Sequence, residues 1–247
     1  MTLLIVAGCD SANDRPTPAE QPTTDEQPNA EEKAIAAIEA LGGKFLSGYR
    51  ALSLEDTQVT DEGLQHVKGL TRLAVLDLRS TQITDVGLEY LNQLTTLQRL
   101  VLRNTAITSA GLKHLSRLTS LKELSLEDTR ATDAGLEHLK RLTSLGVLDL
   151  RSTQITDAGL EYLKALTRLE VLVLGNTQVT DGGLKHLKGL TSLQVLDLRS
   201  TQITDASLED LEGLTSLKVL RIENTQITDA RFEELKTTLS ECTVTGN

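Results

Sequence analysis

Aromatic side chains are nearly absent from this chain, which has two phenylalanines, three tyrosines and no tryptophan in 247 residues. A core built without rings must be aliphatic, and leucine is the residue available to build it. Cysteine is equally scarce. Cys9 and Cys242 stand near opposite ends, so no disulfide framework can be read from them. Cys242, close to Val244, is expected to be a small buried hydrophobe in a terminal cap. All four prolines, Pro16, Pro18, Pro22 and Pro28, fall before residue 29. Basic residues are outnumbered, with 25 Lys+Arg against 35 Asp+Glu and a net charge of −10. About −6 of that charge sits in residues 10–32, which hold seven acids and one base. Nothing resembles the basic stripe that nucleic-acid binding requires, so no nucleic-acid partner is expected. No phosphate loop, nucleophile elbow or paired-acid constellation occurs either. The expectation is a chain with no catalytic residues, no metal and no cofactor.

The apolar stretch Leu3–Ala7 is far too short for the roughly 20 residues that span a bilayer. The string Leu4-Ile5-Val6-Ala7-Gly8-Cys9 instead resembles the lipobox of bacterial lipoproteins, in which the cysteine becomes the lipid-modified N-terminus. The basic n-region and longer apolar h-region of a full signal peptide are missing. Residues 1–9 are therefore assigned to a truncated lipoprotein signal, with Cys9 as the lipidation candidate. Residues 10–29, proline-rich and acidic, have the composition of an extended tether. This layout places the chain at the cell envelope, with membrane contact only through the lipid. A cytoplasmic protein with a fortuitous start is the alternative.

What the chain has in abundance is a period. A 24-residue unit of the form L-x-L-x-x-T-x-[IV]-T-D-x-G-L-x-x-L-x-x-L-T recurs eight times. Its marker threonines are Thr57, Thr81, Thr105, Thr129, Thr153, Thr177, Thr201 and Thr225. A fixed period of this length dictates a solenoid, in which one unit cannot bury its own apolar face and a stack can. Within a unit, Leu76-Asp77-Leu78 alternates like a short strand with its leucines inward. Thr81 turns the chain, Ile83 points inside, and Thr84-Asp85 starts a helix whose Leu88 and Leu91 face the core. The recurrent Thr-Asp pair is expected to satisfy the amides of that helix start. Before the repeats, Asn29 and Glu32 form a capping-box pattern. Ile35, Ile38 and Leu41 line one face of a capping helix within 30–45, and Gly42-Gly43 ends it. Repeats are expected over 46–228 and a C-terminal cap over 229–247. In that cap Phe232, Leu235 and Leu239 share a final helix, and Val244 adds an edge strand.

These units resemble the leucine-rich repeat family, closest to bacterial, planctomycete-type repeats with threonine in the ladder position. They are also similar to the repeats of F-box-type receptors. The resemblance covers about residues 46–244. It implies an α/β fold: a right-handed horseshoe with a parallel sheet on the concave face and helices on the convex face. Two units depart from the pattern, with Ser207 and Arg231 where the helix glycine stands from Gly63 to Gly183.

Stacked strands turn outward positions into columns. One column reads Glu55, Arg79, Arg103, Glu127, Arg151, Gly175, Arg199, Glu223, mostly alternating in sign. This is the pattern of a cross-strand charge ladder. A second reads Ala51, Val75, Arg99, Glu123, Val147, Val171, Val195, Val219. Its four consecutive valines, with Val173 beside them and Gly175 opening a gap in the ladder, suggest an exposed apolar strip with a polar rim. Such a strip suits a protein partner, although valine also simply suits strands. The segments at Ser53, Asp77 and Val101 recur at Ser125, Asp149 and Val173, so three units look duplicated 72 residues on. Arg99 then corresponds to Val171, and Arg103 to Gly175. The candidate partner-binding set is Val147, Arg151, Val171, Val173, Gly175, Val195, Asp197, Arg199 and Val219. His66, His114, His138 and His186 share one helix position, and repeat equivalence explains them without a metal.

The function expected from these features is a non-catalytic, monomeric, protein-binding scaffold tethered at the bacterial envelope. An intracellular or effector-type recognition module resembling ubiquitin-ligase substrate receptors is one alternative, disfavoured by the lack of an F-box-like helical segment before the repeats. A self-assembling structural envelope protein is the other.

Overall fold

The computed structural model describes residues 29–46, 48 and 50–246. The lipobox with Cys9 and the tether up to residue 28 lie outside them. Eight strands, one per repeat, carry the sheet: β2 (Ala51–Ser53), β3 (Val75–Asp77), β4 (Arg99–Val101), β5 (Glu123–Ser125), β6 (Val147–Asp149), β7 (Val171–Val173), β8 (Val195–Asp197) and β9 (Val219–Arg221). All run parallel in chain order, in register at 24-residue steps, such as Leu124 with Leu148 and Leu148 with Leu172. The expected edge strand exists as β10 (Thr243–Thr245), parallel to β9. At the other edge a strand the sequence did not announce, β1 (Lys44–Leu46), pairs antiparallel with β2. The sheet is open, and the architecture is an α/β solenoid.

The core is as aliphatic as the composition demands. In the unit that starts at β6, Leu148, Leu150, Ile155, Leu160, Leu163, Leu166 and Leu169 are all fully buried. Their spacing explains the helical side. Leu160, Leu163, Leu166 and Leu169 are three apart, and a 3₁₀ helix keeps i and i+3 on one line where an α-helix lets them drift. In the first six repeats each helical segment is accordingly one α turn, such as α6 (Asp157–Leu160), followed by a 3₁₀ stretch, here Glu161–Ala165.

The marker threonine earns its place in the turn between strand and helix. Its Oγ donates to the carbonyl three residues back in all eight units, at 2.5–2.8 Å. The residue before it adopts left-handed backbone, with φ between 51° and 57°. That position is Asp or Asn in five units, residue types that bear this conformation more readily than most, and Ser in the other three.

Both ends are capped. Helix α1 (Ala30–Ala40) carries the expected capping box between Asn29 and Glu32. Its buried face is Ala34 and Ile38, with Ile35 partly buried and Leu41 exposed at the C-cap. The helix ends one residue before Leu41, so that side chain leaves the helical face on which the i, i+3 spacing had placed it. At the other end α9 (Asp229–Thr238) buries Leu235, and Phe232, Leu239 and Val244 pack partly against the core. Cys242 is half-buried rather than enclosed, and burial raises its thiol pKa.

Candidate protein-binding face

Of the recurrent Thr-Asp pair, only the threonine caps its own helix start, and it does so in five units, at Thr84, Thr108, Thr156, Thr180 and Thr204. Thr156 Oγ accepts the N–H of Ala158, while Asp157 reaches forward into the next unit. There Oδ1 accepts the N–H of Thr180 at 2.8 Å and Oδ2 accepts its hydroxyl at 2.6 Å. Asp61, Asp85, Asp133, Asp181 and Asp205 make the same pair of bonds. This ladder ties neighbouring units along one rim and holds the strands in a fixed stack, which makes the sheet face a rigid platform.

Three columns of side chains cover that face. The outer charge column behaves as a ladder: Arg79 pairs with Glu55, and Arg103 and Arg151 both pair with Glu127 at 3.3–3.5 Å. Arg99 and Glu123, which interrupt the valine column, pair at 3.1 Å. Burial first, and then the nearby charge of Asp149, raises the Glu127 pKa against the pull of Arg103 and Arg151.

Val147, Val171, Val195 and Val219 do form one uninterrupted row, adjacent in register across β6 to β9 and half-buried. Three of the other candidates, Val173, Gly175 and Asp197, are buried. Val173 is only 8% exposed and Asp197 is fully buried. Both belong to the middle column, where neighbours on either strand and in the outer columns cover a short side chain. Asp197 is the anchor of its surroundings: Arg199 Nε and Nη2 donate to it at 2.6–3.0 Å, and Arg151 and Arg221 approach within 3.8 Å. Burial alone would raise its pKa, but the Arg199 bonds and the charges of Arg199 and Arg151 outweigh it and hold the carboxyl below its ordinary range. Arg151 and Arg199 themselves are about one-third exposed. Gly175 lies between them with no side chain. The face available to a partner is therefore the valine row and the guanidinium edges beside it.

The histidines are half-buried on the helical side. Among the described residues no three His, Cys, Asp or Glu side chains gather as a metal site would require. Among the same residues no helix is long and apolar enough to cross a membrane.

A family described as leucine-rich repeat region matches residues 108–244, and one described as leucine rich repeat matches residues 71–131. Among solved structures, internalin C2 from Listeria monocytogenes aligns at 32% identity with a TM-score of 0.68, over 87% of this chain and 92% of that one. An internalin (inlF) from the same organism aligns at 20% identity with a TM-score of 0.46, over 86% of this chain and 87% of that one. No curated protein matches the chain. The chain belongs to the leucine-rich repeat family.

Proposed function

We propose that this chain is a non-catalytic scaffold that binds a protein partner on the concave sheet face, centred on β6 to β9, while tethered at a bacterial cell envelope through Cys9. The observation that carries the binding reading is the row Val147, Val171, Val195 and Val219: partly open apolar side chains on a rigid sheet, edged by the guanidinium groups of Arg151, Arg199 and Arg221. An apolar centre with a polar, arginine-containing rim is the anatomy of a protein interface. The likeness to an internalin supports a repeat protein of this kind.

Affinity capture from the source cell tests the face. Val171→Asp combined with Val195→Asp is expected to abolish capture of every specific partner with the circular dichroism spectrum unchanged. Val86→Asp is the control, because Val86 is 58% exposed in a helical segment away from the sheet. Partners that stay bound to the double variant would defeat this reading.

The tether has its own readout. Cys9→Ser is expected to move the protein from the membrane fraction to the soluble fraction and to remove incorporation of a clickable palmitate analogue. An unchanged distribution would remove the envelope anchor from the proposal and leave the binding face untouched.

A further inference from the structure

Three units contain the same run, Asp-Leu-Arg-Ser-Thr-Gln-Ile-Thr-Asp, beginning at Asp77, Asp149 and Asp197. In each, the arginine N–H donates to the aspartate Oδ1 at 3.0–3.1 Å. In two of them the guanidinium then folds back onto the same carboxylate. Arg79 Nε lies 2.9 Å from Asp77 Oδ2, and Arg199 Nη2 lies 2.6 Å from Asp197 Oδ2. Arg151 breaks the pattern. Its Nη1 lies 3.5 Å from Glu127, one unit back, and its Nη2 3.6 Å from Asp197, two units ahead. Its Nε is buried with no hydrogen-bond partner among the described residues.

The duplicated block supplies the cause. The neighbour of Arg79 in the charge column is Arg103, whereas the neighbour of Arg151 is Gly175. With no side chain there, Arg151 lies across the gap, its Cγ 3.7 Å from where a Gly175 Cβ would be. The ion pairs are consequently uneven. Asp197 has three guanidinium groups within 4.0 Å, and Asp149 has none among the described residues. Asp149 remains half-buried on the sheet, lining a groove with Val147, Arg103 and Glu127. Burial raises its pKa, and the Arg151 N–H and the more distant guanidinium only partly oppose that.

We infer that Asp149 is an open socket for an arginine side chain of the protein partner, which seats on it as Arg79 seats on Asp77. This rests on the sheet-face reading above and names the chemistry of the partner. A guanidinium suits the site better than an ammonium because its planar fork can meet both carboxylate oxygens, as the two internal pairs do. The apolar stem of the incoming arginine would lie along Val147 and Val171.

The probe is the peptide acetyl-Val-Arg-Val-amide, with citrulline and lysine versions as controls. Each is titrated into the full chain carrying ¹³C-labelled aspartate carboxyls and followed by NMR. The arginine peptide is expected to shift the Asp149 carboxyl saturably, with the neutral citrulline isostere binding roughly tenfold more weakly and lysine in between. Asp149→Asn loses the binding, read there from the amide shifts of Val147 and Leu148 because the reporter carboxyl is gone. Binding is also lost in Gly175→Arg, which leaves the carboxylate in place but restores the neighbour that keeps Arg79 on its own aspartate. A Cβ at Gly175 comes no nearer than 3.4 Å to its surroundings, so the substitution introduces no clash at the Cβ. Equal shifts with citrulline or lysine, or full binding in Gly175→Arg, would overturn the socket. A silent peptide beside partner loss in the valine variants sinks the socket alone. Partners retained by the valine variants sink the face reading, and the socket's role with it.

Discussion

Leu148→Ala is expected to cost about 2–5 kcal/mol of unfolding free energy, the largest effect of any single substitution considered for this chain. Leu148 is fully buried in β6, in register with Leu124 and Leu172 on the strands to either side. The cavity would be walled by three units at once, and none can close on it without shifting its own strand. Ile227→Ala in the last repeat is expected to cost less. Ile227 is already 7% exposed, beside the terminal helix and with no further repeat beyond it among the described residues, so the site can relax or admit water. Denaturant titration of both variants measures the difference. Because each repeat packs mainly on its neighbours, a central lesion also weakens the coupling between the two halves. The Leu148→Ala transition should therefore broaden or split. Equal losses at both sites would mean that the terminal cap is packed as tightly as the centre.

Leucine burial was legible because it is written three times over in each unit: in the strand alternation, in the three-residue spacing after it and in the 24-residue period. The valine row and the charge ladder were legible for the same reason, since a strict period converts sequence columns into spatial columns. What could not be read was any contact made by choice among several neighbours. Asp157 stands next to Thr156, so a local cap was the natural expectation, yet its partner is Thr180, 23 residues on. Asp197 counts as outward by alternation, but three arginines and two flanking strands bury it. Strand β1 is a three-residue segment outside the repeat, with no second copy to announce it. The departure of Arg151 from Asp149 depends on what Gly175 lacks, and an identical Asp-Leu-Arg triplet gives no hint of it.

The aspartate ladder yields the second large effect. Asp157→Ala would leave the N–H and the hydroxyl of Thr180 without their acceptor, at a cost of about 2–3 kcal/mol, because hydrogen bonds to a charged group are worth more than neutral ones. The protein contains its own control. Ser109 occupies the equivalent position in one unit, accepting the Thr132 N–H at 2.9 Å and meeting its hydroxyl at 2.8 Å. Asp157→Ser should therefore cost about half as much as the alanine change, on the order of 1 kcal/mol. The same carboxylate crowds the helix glycine in four of the repeats, at Gly87, Gly111, Gly159 and Gly183. A Cβ on Gly183 would stand 2.5 Å from Asp157 Oδ1, well inside contact distance, and Gly183→Ala is expected to cost about 1–3 kcal/mol by overpacking. Where the sequence places Ser207 in that position, the first turn becomes 3₁₀, Asp205–Ser207, before α8 (Leu208–Glu212) begins, and the Asp181–Thr204 bonds survive. The shifted turn accommodates the extra side chain. If the carboxylate is the reason for the glycine, the two substitutions must couple. Gly183→Ala should cost clearly less in an Asp157→Ser background than alone, by about 0.5–1 kcal/mol or more in a double-mutant cycle measured by denaturation. Strict additivity would show that the glycine answers to some other constraint, and that ladder and helix start are separate features that happen to share a rim.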